Sequence, residues 1–111
     1  MKVNLIQTSE DYNKHFNIIV DNTIIGYISF RENKNSINIE SINININHRR
    51  KGIGSILIKQ LLKEYKTIHG FSSPLSIGFW KNVGAEFEYD ITDEMVNDLM
   101  DMGEYPPFII Y

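Results

Sequence analysis

Residues 47–55, with the sequence NHRRKGIGS, contain the side chains of this chain best suited to hold a phosphate group. Within this segment three cationic residues are followed directly by two closely spaced glycines: Arg49, Arg50, Lys51, Gly52 and Gly54. Glycine lets an anion approach backbone N–H groups without a Cβ atom in the way, and the first N–H groups of a helix attract negative charge. The segment therefore predicts a site for a phosphate-bearing ligand, and its plainer interpretation is a basic turn that starts a helix.

Two common phosphate-binding motifs do not fit this segment. A Walker P-loop requires Lys followed by Ser or Thr after its last glycine, whereas Gly54 is followed directly by Ser55. A dinucleotide-binding fingerprint requires a third glycine, and the chain has Leu57 at that position. The pattern that does fit is R-x-x-G-x-G, from Arg49 to Gly54.

The segment before this turn, residues 37–47, has the pattern of a long strand but changes phase along its length. Its isoleucines form two sets of opposite parity, Ile37 and Ile39 in one and Ile42, Ile44 and Ile46 in the other. Because side chains alternate between the faces of a strand, an unbroken strand would send the two sets to opposite faces. One extra residue near Glu40 and Ser41 would return them to one face, so we predict a β-bulge there. The alternative is a strand buried on different faces in its two halves.

Strands and helices are arranged around this segment in an order typical of a mixed sheet. Strand patterns cover residues 2–7, 16–20, 24–30, 37–47, 67–71, 85–89 and 106–111, and helical patterns cover residues 55–68, 74–83 and 92–103. The polar residues 9–16 leave room for two helical turns at most. Hairpins followed by a strand–helix–strand unit predict an α+β fold, with one parallel pair of strands at the crossover.

This arrangement resembles the GCN5-related N-acetyltransferase (GNAT) family, whose R/Q-x-x-G-x-G/A turn after a bulged strand holds the pyrophosphate of acetyl-CoA. A second segment, SPLSIGFWKNVGAEF, is similar to the family's N-x-x-A-x-x-F-Y-x-x-x-G-F helix and strand, with Phe79 and Gly84 at corresponding places. The resemblance covers about residues 17–90. It implies one GNAT-like domain over residues 1–111, in which helices flank a mixed, mostly antiparallel sheet with a splayed parallel strand pair. The N-terminal helical region of the family would be truncated.

The resemblance implies acetyl-CoA as the cosubstrate and assigns its contacts to residues of this chain. The backbone that pairs with the pantetheine arm would be that of Ile42, Asn43 and Ile44. The pyrophosphate turn would consist of Arg49, Arg50, Lys51, Gly52, Ile53, Gly54 and Ser55. Ser73 stands where the family often has an Asn that touches the cofactor, and Trp80 stands where it has a Tyr that commonly protonates the leaving thiolate. Because indole donates no useful proton, acid catalysis from this position is lost.

The resemblance also implies direct attack of an acceptor amine on the thioester, which requires a base that keeps the amine neutral. The two candidates are Glu40, beside the predicted bulge, and His69, on the next strand. Each also has a structural interpretation, Glu40 as an exposed strand charge and His69 as a strand histidine. His48, next to the turn, is expected to pack there or to pair with a phosphate.

The short segment 9–16 predicts an open acceptor side, because the family usually places two helices between its first two strands. An open side suits a protein acceptor, or a site completed by a second copy in a homodimer. It also suits an inactive module that binds coenzyme A or a partner protein in a regulatory role. The sequence does not identify the acceptor, which could be a polyamine, a drug, a protein lysine or a protein N-terminus.

Charge is divided unequally along the chain, whose net charge is −3. Residues 1–81 contain eleven Lys and Arg against six Asp and Glu, whereas residues 82–111 contain eight Asp and Glu and no Lys or Arg. We therefore expect the acidic helix at residues 92–103 to attract a cationic amine through Asp98 and Asp101. The alternative is an acidic helix face that is solvated and has no partner.

Composition argues against several other classes of function. The chain has no cysteine, which excludes disulfides and thiolate metal sites, and its scattered histidines indicate no metal. It has neither an apolar run of about twenty residues nor a signal-like N-terminus, so we expect no membrane span and a cytoplasmic protein. A chain that is acidic overall, without a basic stripe interleaved with aromatic residues, argues against nucleic-acid binding.

Overall fold

The computed structural model describes residues 1–111 and contains seven strands and three α-helices. The strands are β1 Asn4–Glu10, β2 Lys14–Val20, β3 Thr23–Asn33, β4 Ser36–Ile44, β5 Thr67–Phe71, β6 Glu86–Phe87 and β7 Pro107–Ile110. The helices are α1 Ile53–Glu64, α2 Ile77–Asn82 and α3 Asp93–Met102, with 3₁₀ turns at Ile46–His48 and Pro74–Ser76. The strands form one sheet in the order β1-β2-β3-β4-β5-β7-β6, in which β4 and β5 form the parallel pair. The predicted α+β fold with a mixed, mostly antiparallel sheet is confirmed.

No helix lies between β1 and β2, where the sequence left room for two turns. A tight turn joins the two strands instead, and Glu10 pairs directly with Lys14 across it. A carboxylate oxygen of Asp11 accepts the N–H of Asn13 at 2.8 Å, and the Asp11 N–H donates to the Asn13 carbonyl at 2.9 Å. Because Asp favours such local side-chain bonds, the polar segment forms a turn and its flanks continue the strands.

The helices α1 and α2 cover one face of the sheet. From α1, the buried residues are Ile53, Gly54, Leu57, Ile58 and Leu61. They share one core with Ile18, Ile28, Phe30, Ile37, Ile39, Ile68, Phe108 and Ile110 of the strands and with Trp80 of α2. Gln60 of α1 also accepts a hydrogen bond from the Val3 N–H at 3.3 Å and donates one to its carbonyl at 2.7 Å. The N-terminal residues are therefore held to the same core.

The acidic helix α3 packs through a small separate cluster of Leu99 with Ile77 and Ile91. Met95 and Val96 are partly buried beside it, whereas Met100 is 47% exposed. On a helix of 3.6 residues per turn, residue 100 lies about 90° from the centre of the face that residues 95, 96 and 99 share. None of the helices is both long and apolar enough to cross a membrane.

The opposite face of the sheet carries no helix, and we call it the open face. On the central strands its residues are His15, Tyr27, Ser29, Arg31, Asn38, Ser41, Asn43 and His69, which alternate along their strands with residues on the helix-covered face. All of them except Ser29 are half-buried or exposed. Most side chains on this face are therefore in contact with solvent.

The predicted bulge is confirmed at Glu40. In the pairing of β3 with β4, Ser29 lies opposite Ser41 and Phe30 lies opposite Ile39, so Glu40 is the extra residue. The isoleucines before and after it therefore contact the same core, although Ile46 lies beyond the strand and is exposed. The parallel pairing of β4 with β5 ends at Ile39 and Gly70. From the bulge onward the two strands separate, and we call this opening the split.

Candidate functional site

A cleft of about 780 Å³ lies beside the split, on the helix-covered side of the sheet. The end of β4, the turn before α1, the first turn of α1 and the start of α2 form its walls. Its lining residues are Ile42, Asn43, Ile44, His48, Arg49, Arg50, Gly52, Ile53, Gly54, Ser55, Leu75, Ser76, Phe79, Trp80 and Asn82. The cleft thus brings together a free strand edge, a helix start and two arginines.

Most of the residues predicted to bind the cofactor line this cleft. They are Ile42, Asn43, Ile44, Arg49, Arg50, Gly52, Ile53, Gly54, Ser55 and Trp80. Lys51 lies in the same turn and is exposed, but it does not reach the lining. Ser73 is also outside the lining, yet its hydroxyl donates to Ser76 Oγ at 2.8 Å and so positions a residue that does line the cleft.

The first turn of α1 presents unpaired backbone donors to the cleft. Gly52 has φ +77° and Arg50 has φ +62°, and these left-handed residues turn the chain sharply into the helix. Helix α1 has no side-chain cap, and its first internal bond runs from the Ile56 N–H to the Gly52 carbonyl at 3.0 Å. The N–H groups of residues 53–55 therefore have no partner in the protein, and an anion can accept their hydrogen bonds.

Positive charge at this helix start is not neutralised by the protein. Arg49 donates from Nε to the Ile44 carbonyl at 2.7 Å, which fixes its side chain against the end of β4. Neither arginine forms a salt bridge, and no Asp or Glu lines the cleft. Guanidinium groups bind phosphate oxygens through charge-assisted hydrogen bonds, so the cleft is suited to a ligand with several phosphates.

Gly54 allows the start of α1 to approach α2 closely. A Cβ atom at this position would lie 2.6 Å from Phe79 Cε1. The Phe79 ring packs edge-on against Trp80 with centroids 4.9 Å apart, and Trp80 stacks on Phe108 at 4.2 Å. Trp80 is 4% exposed and belongs to the core as well as to the cleft wall.

Four lining residues were not predicted as part of the site, namely Leu75, Ser76, Phe79 and Asn82, which come from α2 and the turn before it. His48, which was expected beside the turn, lines the cleft with its Nδ1 atom buried and unpartnered. The spacing of three and four residues among positions 75, 76, 79 and 82 is the available sequence signal, because such positions share one side of a helix. Which side of α2 faces the cleft depends on its packing against α1.

The two candidate bases lie outside the cleft, near the split. Glu40 is the exposed bulge residue of β4. His69 projects from β5 on the open face, opposite Asn38 of β4, and its Nε2 atom lies 3.1 Å from Thr67 Oγ1. The structure places them on the two strands that separate there, and it does not bring them into one hydrogen-bonded pair.

Asp98 and Asp101 are exposed on α3 and do not line the cleft. Helix α3 contacts the turn Pro74–Ser76, part of which does line it. After α3 the chain enters β7, whose first residue pairs with Phe71 at the end of β5. The acidic helix is therefore at the same end of the sheet as the split.

Comparison with known proteins gives the family and the fold. Residues 3–85 match the profile of the Acetyltransferase (GNAT) family. Tetrahymena GCN5 is similar at 18% identity with a TM-score of 0.68, over 92% of this chain and 69% of that one. A Bacillus subtilis acetyltransferase in complex with CoA is 12% identical with a TM-score of 0.68 over 98% of both chains. The PaiA N-acetyltransferase of Thermoplasma acidophilum, in complex with coenzyme A, is 15% identical with a TM-score of 0.65, over 86% of this chain and 58% of that one. No curated protein matches the chain.

Proposed function

Because the chain belongs to the acetyltransferase (GNAT) family, we propose that it transfers the acetyl group of acetyl-CoA to a primary amine by direct attack. The observation that carries this proposal is the cleft beside the split. There, unpaired N–H groups of α1 and two unneutralised arginines meet the free edge of a bulged strand. These features match a ligand that has a pyrophosphate for the N–H groups and arginines, and an amide-rich arm for the free strand edge.

Each wall of the cleft has hydrogen-bonding groups that match one part of coenzyme A. The pyrophosphate would lie at the first turn of α1, where residues 53–55 have free N–H groups. The pantetheine arm would follow β4 from Ile44 toward Ile42, because this edge of the strand has lost its partner β5. An extended chain with amides can add to a free strand edge through backbone hydrogen bonds. The thioester would then lie near the bulge at Glu40.

The proposed reaction needs a neutral amine at the thioester carbon. The amine lone pair forms the C–N bond, the C–S bond breaks, and the thiolate leaves with the bonding electrons. We assign to Glu40 the removal of the first proton, which converts the incoming ammonium to an amine, and we keep His69 as the second candidate. Trp80 donates no proton, but a thiol with a pKa of about 8.5 is a tolerable leaving group near neutral pH.

The acceptor would reach the thioester from the open face. The split connects the two sides of the sheet, and on the open side no helix covers Ser41 or His69. A protein lysine, a protein N-terminus or a small cationic amine could approach there. A second candidate function is a weakly active or inactive module that binds coenzyme A and a partner. The observation that favours it is the absence of any Tyr, Asp or Glu from the cleft lining.

An assay of thiol release tests the proposal. Incubation with acetyl-CoA and a panel of polyamines, lysine peptides and peptides with free N-termini is expected to release coenzyme A in proportion to added amine. A chromogenic thiol reagent measures the release, and incubation without amine gives the hydrolysis background. Thermal stabilisation by coenzyme A without amine-dependent release would favour the binding module, and the absence of both would contradict the cofactor assignment.

We further propose that the acidic helix attracts a cationic acceptor. Removing two charges with Asp98→Asn and Asp101→Asn should raise the KM for a polyamine about threefold to tenfold at low salt, because the amine loses long-range attraction. The difference should shrink as salt is added, and acetyl-CoA affinity should stay unchanged. A matched variant that removes two charges elsewhere, Asp21→Asn with Glu64→Gln, serves as the control. An equal KM in both double variants would show that α3 is solvated surface.

A further inference from the structure

Three side chains on the open face form a connected array outside the cofactor cleft. Ser29 Oγ lies 2.7 Å from His15 Nδ1, and His15 Nε2 lies 3.0 Å from both carboxylate oxygens of Asp11. The residues come from β3, β2 and the turn between β1 and β2. We call them the Asp11–His15–Ser29 array.

The chemistry of the partners sets the direction of the hydrogen bonds. An ionised carboxylate only accepts hydrogen bonds, so Nε2 of the neutral imidazole must carry the proton that faces Asp11. Nδ1 is then an acceptor, and the Ser29 hydroxyl must donate to it. The Asn13 N–H and the His15 side chain lower the pKa of the Asp11 carboxyl, which keeps it ionised near neutral pH. The lone pairs of Ser29 Oγ remain free to accept a proton.

The array leads to the split along one row of the sheet. His15 of β2 lies opposite Ser29 of β3, and Ser29 lies opposite Ser41 of β4. The two hydroxyl groups form no hydrogen bond in the structure. Directly opposed residues on one face of an antiparallel pair have Cβ atoms about 5 Å apart, so rotation of the Ser41 side chain between staggered rotamers can bring its hydroxyl to Ser29 Oγ. Ser41 follows the bulge residue Glu40, where β4 has already left β5. The row therefore runs from an exposed carboxylate to the place proposed for the thioester.

Burial decides between two chemical roles for the array. A serine nucleophile must be reached by the acyl group, whereas Ser29 is 5% exposed and Ser41 lies between it and the split. A relay needs only contact from hydroxyl to hydroxyl. His15 is half-buried and Asp11 is exposed, so a proton that reaches them can pass to water.

We infer that the Asp11–His15–Ser29 array is a proton relay for acetyl transfer, which receives its proton through the Ser41 hydroxyl. This inference rests on the proposed function. An ammonium that becomes an amide loses two protons, one before attack and one as the C–S bond breaks. The second proton passes to Ser41 Oγ, the Ser41 proton to Ser29 Oγ, and the Ser29 proton to His15 Nδ1. The imidazolium is paired with Asp11, and loss of its Nδ1 proton to water restores the resting imidazole with its proton on Nε2.

Few other charges bear on His15. Glu10 ends β1 beside it, and Arg31 on β3 holds its guanidinium carbon 4.7 Å from the centre of the Tyr12 ring. Lys14 points to the other side and pairs with Glu32 at 2.7 Å. The closest charged partner of the imidazole is therefore the Asp11 carboxylate.

Kinetics of three variants test the relay. His15→Gln and Ser29→Ala should each lower kcat about tenfold at pH 7, with the KM for acetyl-CoA unchanged, and Ser29→Thr, which keeps the hydroxyl, should restore most of the rate. The pH profile of kcat should change shape in His15→Gln, because the variant lacks the group that accepts the second proton. Asp11→Asn keeps an oxygen for the Asn13 N–H, so it should retain the turn while it lowers kcat. An unchanged pH profile in His15→Gln, with an active parent protein, would overturn the relay alone.

A spectroscopic measurement tests the relay independently of turnover. The imidazole ¹⁵N shifts of the free protein should show His15 with its proton on Nε2, and Ser29→Ala should change the Nδ1 signal. A proton on Nδ1 would make Ser29 an acceptor and would overturn the relay. A parent protein without acetyl transfer to any amine would overturn the proposed function, and with it the reaction that the relay serves.

Discussion

Replacing Gly52 with Asp is expected to abolish the stabilisation of this protein by acetyl-CoA. At about 100 times its dissociation constant, a ligand that binds only the folded state stabilises it by about 2.7 kcal/mol. For a domain of this size that corresponds to a rise in Tm on the order of 10 °C. No atom lies within 4 Å of a Cβ built at Gly52, so the new carboxylate would have room to project beside the first turn of α1. There it would repel the pyrophosphate.

The control for this variant is Gly52→Asn. Gly52 has φ +77°, and a side chain in the left-handed region costs about 1–2 kcal/mol whatever its charge. Asn has nearly the same shape as Asp and shares this cost, so the two variants separate charge from strain. Gly54→Asp is less informative, because its Cβ would lie 2.6 Å from Phe79 and would disturb the packing of α1 on α2. Equal thermal shifts in Gly52→Asp and Gly52→Asn would contradict a pyrophosphate at this turn.

Glu40→Gln is expected to lower kcat/KM about 10²-fold at pH 7, the usual size of a general-base contribution. At pH 9 the loss should be only a few-fold, because an alkylamine with a pKa of about 10.4 loses its proton unaided more often there. Initial rates of thiol release at several pH values measure both. The bulge exposes Glu40 beside the split, so the substitution leaves the core untouched.

Two measurements separate a base from a surface charge at this position. Acetyl-CoA should stabilise Glu40→Gln as much as the parent protein, because Glu40 does not line the cleft. Glu64→Gln removes the same charge from the exposed end of α1 and should leave the rate unchanged at every pH. If Glu40→Gln matches the parent from pH 7 to pH 9, the first proton goes to His69 or to water.

Local patterns in the sequence are sufficient to predict the elements around the cleft beside the split. Because side chains alternate between the two faces of a strand, the change of phase between Ile39 and Ile42 predicts a bulge without any knowledge of the partner strand. Gly52 and Gly54 between a strand and a helix indicated an anion site, because the free N–H groups at a helix start belong to the helix itself. Such features depend on residues close together in the chain.

Tertiary structure alone decided how distant residues meet. Positions 11, 15 and 29 show no common spacing, and they form an array only because the pairing of β2 with β3 places His15 opposite Ser29. The tight turn at Asp11 likewise replaced the short helix that the polar composition allowed, and it brings the carboxylate back to His15. The sequence also left open which face of the sheet stays uncovered and which side of α2 faces the cleft. A periodic pattern predicts which face of an element is buried. The register and order of the strands determine which other element packs against that face.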